Sequence, residues 1–466
     1  MTSDTPFQLN LNHPAEAGLQ CHTTLRHLPG RRLVCAATWG DEQVVVKLFQ
    51  GRKALRHWER EKRGTGLLQQ RDIATPELLY AGFTKEENTP VLITRMISGA
   101  QTALERWEHC CGDDERLELL KFLVEVIARQ HQHGLWQEDL HLGNFLLSAD
   151  EVFTLDGDAI RAKIRTALLP PYISRGNLGL FLAQIPPAYA HLFEDTLKHY
   201  TSASGQSLRE WQSLLTTELP QQRRKRRCTY VSKAFRNCTE FTRKHKKGQL
   251  LIHRADAPAE LIRLLENDPD SLMEQGTILK DGNSSTVVRV ESGSDEWVVK
   301  RYNIKNPWHF LKRCLRPTRA AISWRNAHRL KISGINTPQA LAMAEKRFGP
   351  LRLTGYYVCR YVEASDVAEY FSADSIEDTS QIQAATALVR LFELFYNLGI
   401  HHGYCKATNF LLNEQDPWVI DLDSMREFNS RQKFLRHYRV DRARFLRNWN
   451  PRSKVREWFD QRLPQI

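Results

Sequence analysis

Apolar residues at Leu120, Leu123, Val124, Ile127 and Ala128 recur at the three- and four-residue spacing of a helix with one buried face, and Gly134 marks its end. The runs Asn-Phe-Leu-Leu (144–147) and Val-Phe-Thr-Leu (152–155) flank the turn-forming Ser-Ala-Asp-Glu, a pattern that predicts a hairpin of two short buried strands. Nearer the start, EQVVVKLF (42–49) reads as a strand closing on Lys47, and RKALRHWEREKRGTGLL (52–68) reads as a helix.

This order of elements is written twice. Asn144 and Asn409, Asp156 and Asp421, and Asp158 and Asp423 are each separated by 265 residues. Upstream, Ile-Ala-Thr-Pro (73–76) answers Ile-Asn-Thr-Pro (335–338), and the strand around Lys47 answers WVVKRY around Lys300. Anchors in one order over so long a unit indicate a duplicated domain rather than a solenoid repeat. A chain of 466 residues is long for one core and comfortable for two. The expected division is a first domain over 1–220, a basic connecting segment over 221–269 and a second domain over 270–466.

Composition narrows the class without naming a function. With 41% apolar and 26% charged residues the chain has the make-up of a soluble globular protein. The N-terminus has neither a basic n-region nor an apolar core, and no apolar run reaches the length of a membrane span. Nine cysteines without a C-x-x-C pair suit reduced thiols in a cytoplasm, and adjacent Cys110 and Cys111 suit ordinary thiols rather than metal ligands. The net charge of +12 is concentrated. Residues 223–247 carry eleven Lys/Arg against Glu240, and 426–456 carry eleven against Glu427 and Asp441, so the remainder is acidic. Such clusters are solvated helix faces or docking sites for a polyanion. No standard nucleic-acid module accompanies them, and no nucleic-acid partner is expected. In the second cluster Phe434, Tyr438, Phe445 and Trp449 fall on one helix face, which either packs on the protein or lies on an anionic membrane surface.

The repeated segment carries chemistry in its first copy. Asp139 precedes the first hairpin strand, Asn144 opens it, and Asp156 follows the second, so carboxylate, amide and carboxylate converge at one end of a hairpin. Phosphoryl transfer from ATP uses this set: one carboxylate orients the attacking hydroxyl, while an amide and a second carboxylate hold Mg2+ on the phosphates. The kinase catalytic loop spaces its base and its metal-binding asparagine by five residues, as Asp139 and Asn144 are spaced here. Lys47 stands where a kinase strand presents its phosphate-binding lysine, and the next helix offers Glu59 or Glu61 as the partner, Glu61 being preferred from its place before Ile-Ala-Thr-Pro. The loop over the phosphates departs from G-x-G-x-x-G, since LPGRRLVCAATWGDEQ supplies only Gly30 and Gly40.

These stretches, with LPGRRLVCAATWGDEQVVVKLF, IATPELLYAG, WQEDLHLGNFLL and LDGD in the first half and LKDGNSSTVVRV, VVKRYN, SWRNAHRL, INTP, TNFLL and VIDLDSM in the second, resemble the heptose and Kdo kinases of the lipopolysaccharide inner core. That family shares the protein-kinase-like fold with aminoglycoside phosphotransferases and Rio kinases. The resemblance spans nearly the whole chain and implies an α+β fold of two tandem protein-kinase-like domains, each with a small β-rich N-lobe and a mainly helical C-lobe. It implies ATP and Mg2+ as cofactors, and a lipopolysaccharide core or lipid A glycolipid acceptor reached from the cytoplasmic face of the inner membrane. Lys47 would bind phosphate with Glu61 as its partner, Asp139 would be the base, and Asn144 and Asp156, with Asp158 as a further candidate, would hold the metal. Gln137 and Glu138 replace the His-Arg of protein kinases before Asp139, and His141 follows as in small-molecule kinases, which favours an acceptor other than protein. The second copy keeps Lys300, Asn409, Asp421 and Asp423 for nucleotide and metal, but Tyr404 stands at the base position and Ser323 at that of Glu61. A tyrosine with its ordinary pKa near 10 is a poor base at neutral pH. The first domain is therefore expected to be active and the second degenerate. The alternatives are a soluble small-molecule or protein kinase, or a pseudokinase scaffold of envelope glycolipid synthesis.

Overall fold

The computed structural model describes residues 6–12, 18–149, 151–163, 169–246, 248–293, 295–304 and 314–466. Asp150 of the predicted turn and Lys247 of the first basic cluster lie outside them. The chain is mixed α+β and divides into two compact units, Met1–Arg224 and Lys225–Ile466.

In the first unit a six-stranded antiparallel sheet runs in the order Phe7–Leu9, Leu19–Leu28, Arg32–Trp39, Glu42–Phe49, Pro90–Arg95, Leu78–Phe83. Alternation along Glu42–Phe49 buries Val44, Val46 and Leu48 in one core and turns Lys47 to the other face. Gly40 makes the tight reversal before this strand with a φ of 60°, a conformation that a residue without Cβ takes without strain. The helix Ala54–Gln70 covers the Lys47 face, anchored by Trp58, whose indole donates to the Val91 carbonyl at 3.0 Å. The helical part follows. Asp113–Gln132 buries the predicted Leu120, Leu123, Val124, Ile127 and Ala128 and ends at His133, with Gly134 at a φ of 69°. Phe145–Ser148 pairs with Glu151–Thr154 as a hairpin.

In the second unit the sheet has seven strands, ordered Phe241–Lys246, Gln249–Arg254, Ala340–Phe348, Leu351–Arg360, Asp295–Tyr302, Ser285–Ser292, Thr277–Gly282. The helix Arg319–Ile332 follows the lysine strand, and Phe410–Asn413 and Asp416–Val419 form the later hairpin.

One expectation needs correction, and one open alternative is decided. The segment 221–269 is not a separate connector. Its strands Phe241–Lys246 and Gln249–Arg254 belong to the second sheet, its helix Ala259–Asn267 buries Leu261, Ile262 and Leu265, and the boundary falls inside the helix Leu219–Lys233. Arg224, Lys225, Arg236, Arg243, Lys244 and Lys246 are exposed, while Arg227 is buried in an ion pair with Glu427 at 2.7 Å, so the basic cluster belongs to folded elements and charge density does not mark a linker here. Nor is the C-terminal aromatic face free for a membrane. Phe434, Tyr438 and Phe445 of the helix Arg431–Leu446 are buried in the second core, and Trp449 packs against it. Among the described residues no helix is long and apolar enough to cross a membrane.

The helix Ala54–Gln70 approaches the Leu-Asp-Gly-Asp turn backbone to backbone. A Cβ on Gly64 would collide with the Gly157 carbonyl, and one on Gly157 would collide with the Glu61 carbonyl and the Thr65 amide. Gly64→Ala is therefore expected to destabilise the first unit by about 1–3 kcal/mol and to separate Lys47 from Glu61. A urea midpoint equal to the wild type would contradict this contact.

Candidate active site

Lys47 and Glu61 form an ion pair, with the Glu61 carboxylate 2% exposed. Of the two candidate glutamates Glu59 points to solvent, so the helix places only Glu61 beside the strand. Arg32, opposite Phe49 in the register, adds a second cation, 3.3 Å from Glu61 and 3.7 Å from Asp156. Burial works against the Glu61 charge, but Lys47 and Arg32 overcome it and hold the pKa down at about 2. Asp156 is driven the other way, up to about 6, by burial and by the charge of Glu61, with Lys47 and Arg32 opposing. Asp156 also sits in the left-handed region, φ 64° and ψ 73°, where the turn aims its side chain. Its Oδ1 is buried without a hydrogen-bond partner.

A buried carboxylate oxygen left without a donor is what a cation site requires. Asn144 fits the same role. Its side-chain nitrogen donates to the Asp139 backbone carbonyl at 2.7 Å, leaving Oδ1 for a metal, and the Leu155 amide donates to the Asn144 backbone carbonyl at 2.8 Å, which ties the hairpin end to the residue before Asp156. Among the described residues no group of three or more His, Cys, Asp or Glu could hold a metal. One carboxylate and one amide suit Mg2+, which draws its remaining oxygens from phosphate and water. Asp158, the further metal candidate, is engaged elsewhere: Arg60 lies 2.8 Å and His57 3.0 Å from its carboxylate. Asp139 is exposed, on the segment whose backbone Asn144 holds.

Beneath that segment runs a buried polar chain. Gln137 donates to the Leu155 carbonyl at 2.9 Å, Asn177 donates to the Gln137 carbonyl at 2.6 Å, and His131 bridges the Asn177 Oδ1 and the Tyr200 hydroxyl at 3.0 and 2.7 Å. Burial pushes the His131 pKa down to about 4 from an ordinary 6.5. The unfolded chain then takes up a proton below about 6.5 and the folded one only below about 4, so the stabilisation is complete above the higher value and is lost as pH falls between the two. Urea midpoints at pH 7.5 and pH 5 are expected to differ less in His131→Gln than in wild type. An unchanged difference would remove His131 as a contributor.

The second unit repeats the framework with altered chemistry. Asn409 donates to the Tyr404 carbonyl at 2.6 Å, as Asn144 does to Asp139. His402 contacts the Ile420 carbonyl at 3.0 Å, as Gln137 does that of Leu155. Thr337 donates to the Val419 carbonyl at 2.8 Å, as Thr75 does to that of Thr154 at the same distance. Arg319 holds Asp423 at 2.7 Å in the place of the His57–Asp158 contact. The lysine differs. Ser323 bonds the Tyr302 hydroxyl at 2.8 Å, and Lys300 turns to Asp421 at 2.5 Å and Asp423 at 3.4 Å. Burial opposes the Lys300 charge, but Tyr302, Asp421 and Asp423 raise its pKa above the ordinary value, while Asp421 is depressed by Lys300 against its own burial. Tyr404 is 46% exposed, with the Arg444 guanidinium 4.9 Å from its ring centre. The carboxylate under its loop, Asp441, accepts from the His402 and Gly403 amides at 2.7 and 3.1 Å and is spent on backbone.

Sequence reasoning missed Arg32, Asn177 and Asp441. Strand register could have found Arg32, two positions along the same face from Val34, which pairs with Lys47. Nothing local signals Asn177 or Asp441, which reach their loops from 40 and 39 residues away.

Residues 270–449 match the model of the lipopolysaccharide kinase (Kdo/WaaP) family. The matched segment lies within the second unit and includes Tyr404. No curated protein matches the chain.

Proposed function

We propose that this chain, whose segment 270–449 carries the lipopolysaccharide kinase pattern, is an ATP-dependent phosphotransferase built from two protein-kinase-like domains, with the chemistry in the first. The acceptor is a sugar hydroxyl of the lipopolysaccharide inner core, met at the cytoplasmic face of the inner membrane. The observation that carries the assignment to the first unit is the ion pair of Lys47 with the buried Glu61, beside an Asp156 Oδ1 that accepts no hydrogen bond and has only Arg32 at 3.7 Å. In the second unit the corresponding lysine and aspartate neutralise each other.

In this reading Glu61 fixes the Lys47 ammonium toward the α and β phosphates of ATP, and Arg32 supports the same carboxylate. Asn144 and Asp156 would hold Mg2+, which when bound offsets the negative charge of the phosphate oxygens. Asp139 accepts the proton of the sugar hydroxyl as that oxygen forms its bond to the γ phosphorus and the bond from phosphorus to the ADP oxygen breaks. The Asn144 amide and the Gln137–Asn177–His131 chain fix the backbone that carries Asp139. The second unit holds the acceptor or supports its neighbour without transferring phosphate.

Mass spectrometry of core oligosaccharide from cells with and without the gene tests the substrate. One phosphate per core is expected to disappear with the gene and to return with the wild-type chain but not with Asp139→Asn. An unchanged core would move the acceptor to a soluble small molecule or a protein.

A further inference from the structure

On the second unit, an open cavity of about 310 Å³ lies between the helix Arg319–Ile332 and the strands that flank it. Arg243, Arg325, Arg347 and Arg352 line it against a single carboxylate, Glu345. That carboxylate is already committed, with Arg347 at 2.5 Å on one oxygen and the Thr318 hydroxyl at 2.5 Å on the other. Arg243, Arg325 and Arg352 have no carboxylate partner among the described residues. Arg325 is partly buried, with the Phe235 ring 5.5 Å away. Burial and the facing charge of Arg352 both lower its pKa.

Like charges in a partly desolvated cavity are costly, and an anion placed between them reverses the cost. Guanidinium forks match phosphate oxygens two at a time, and the excess of cations suits a dianion better than the single charge of a diester. The volume exceeds that of phosphate alone, and Ile252 and Met343 supply apolar floor. Ser323 on the same helix faces Tyr302, so the cavity is separate from the lysine cleft. We infer that the arginine cavity of the second unit binds a phosphate monoester, one carried on a body of about sugar size.

The test uses the full chain and titration calorimetry with glucose 6-phosphate, inorganic phosphate and glucose, together with flotation on phosphatidylcholine vesicles containing phosphatidylglycerol. Glucose 6-phosphate and phosphate are expected to bind, and glucose is not. Arg325→Gln/Arg352→Gln is expected to weaken phosphate-ester binding at least about tenfold, the effect of losing two charge-assisted forks. Removing two facing cations should leave the unliganded Tm no lower than wild type, an outcome that a merely structural role for these residues would not produce. Arg325→Lys, which keeps the charge and loses the fork, should weaken binding severalfold, and it serves if the double variant fails to fold. Equal affinity in wild type and variants would overturn the inference, because phosphate would then be read at the Lys47 cleft or elsewhere. Vesicle binding that the variants reduce, with no binding of either phosphate compound, would overturn it in favour of a membrane surface. None of these outcomes depends on whether the first unit transfers phosphate.

Discussion

Asp156→Ala is expected to lower phosphate transfer by about a thousandfold or more, while Asp421→Ala leaves the chemical step within about threefold of wild type, because elements that act as a unit are lost together and a unit already broken loses little more. In the first unit Asp139, Asn144 and Asp156 stand at one hairpin end, and Arg32 links Asp156 to the Glu61 that pairs with Lys47. Asp156 is the member whose Oδ1 lacks a donor, so its removal takes away the carboxylate that would hold the ion on the phosphates. In the second unit Asp421 serves Lys300, and cutting it to alanine frees a lysine that Asp423 still neighbours. Single-turnover assays at saturating nucleotide, with folding checked by circular dichroism, compare the two variants directly. Loss of chemistry in Asp421→Ala with full activity in Asp156→Ala would place the enzyme in the segment that matches the kinase family.

Asp139→Asn should reduce turnover by about 10²–10⁴-fold, the range associated with a general base, with ATP affinity and thermal stability near wild type. The side chain is exposed, and its backbone carbonyl, which the substitution keeps, accepts the Asn144 bond. Stability therefore has little to lose, and transfer loses its proton acceptor. Transfer within threefold of wild type would remove Asp139 from the mechanism. A parallel fall in ATP affinity would instead assign it to nucleotide binding.

How much of this was legible depended on whether the determining contacts were local. The helix 113–132, the hairpin at 145–154 and the approach of Asn144 to Asp156 follow from periodicity and short turns, and they stand where those signals put them. The pairing of Lys47 with Glu61 rather than Glu59 was readable from helix position, because a helix after a strand presents one side to it. The strand FTRKHK was not readable. Its one buried residue is a phenylalanine, and after Thr242 the remaining positions are exposed and basic, so only the neighbouring strand 249–254 reveals it as sheet. The Arg60 and His57 hold on Asp158 spans about a hundred residues, and no local pattern predicts which of two nearby aspartates the helix engages. Tyr404 was visible as a replacement, but the response of Lys300, swinging onto Asp421, needs the geometry of the Ser323 vacancy.

The glycine-to-glycine seam between the helix Ala54–Gln70 and the turn at 157 has a consequence for control. With Gly64 seated on Gly157, and His57 and Arg60 of the same helix clasping Asp158, the wall that carries Glu61 is riveted at three points rather than hinged. A kinase that switches by swinging this helix must break and remake such attachments at every cycle. If the first unit is the phosphotransferase proposed above, its Lys47–Glu61 pair needs no swing of this helix to form, which suits an enzyme without a helix latch.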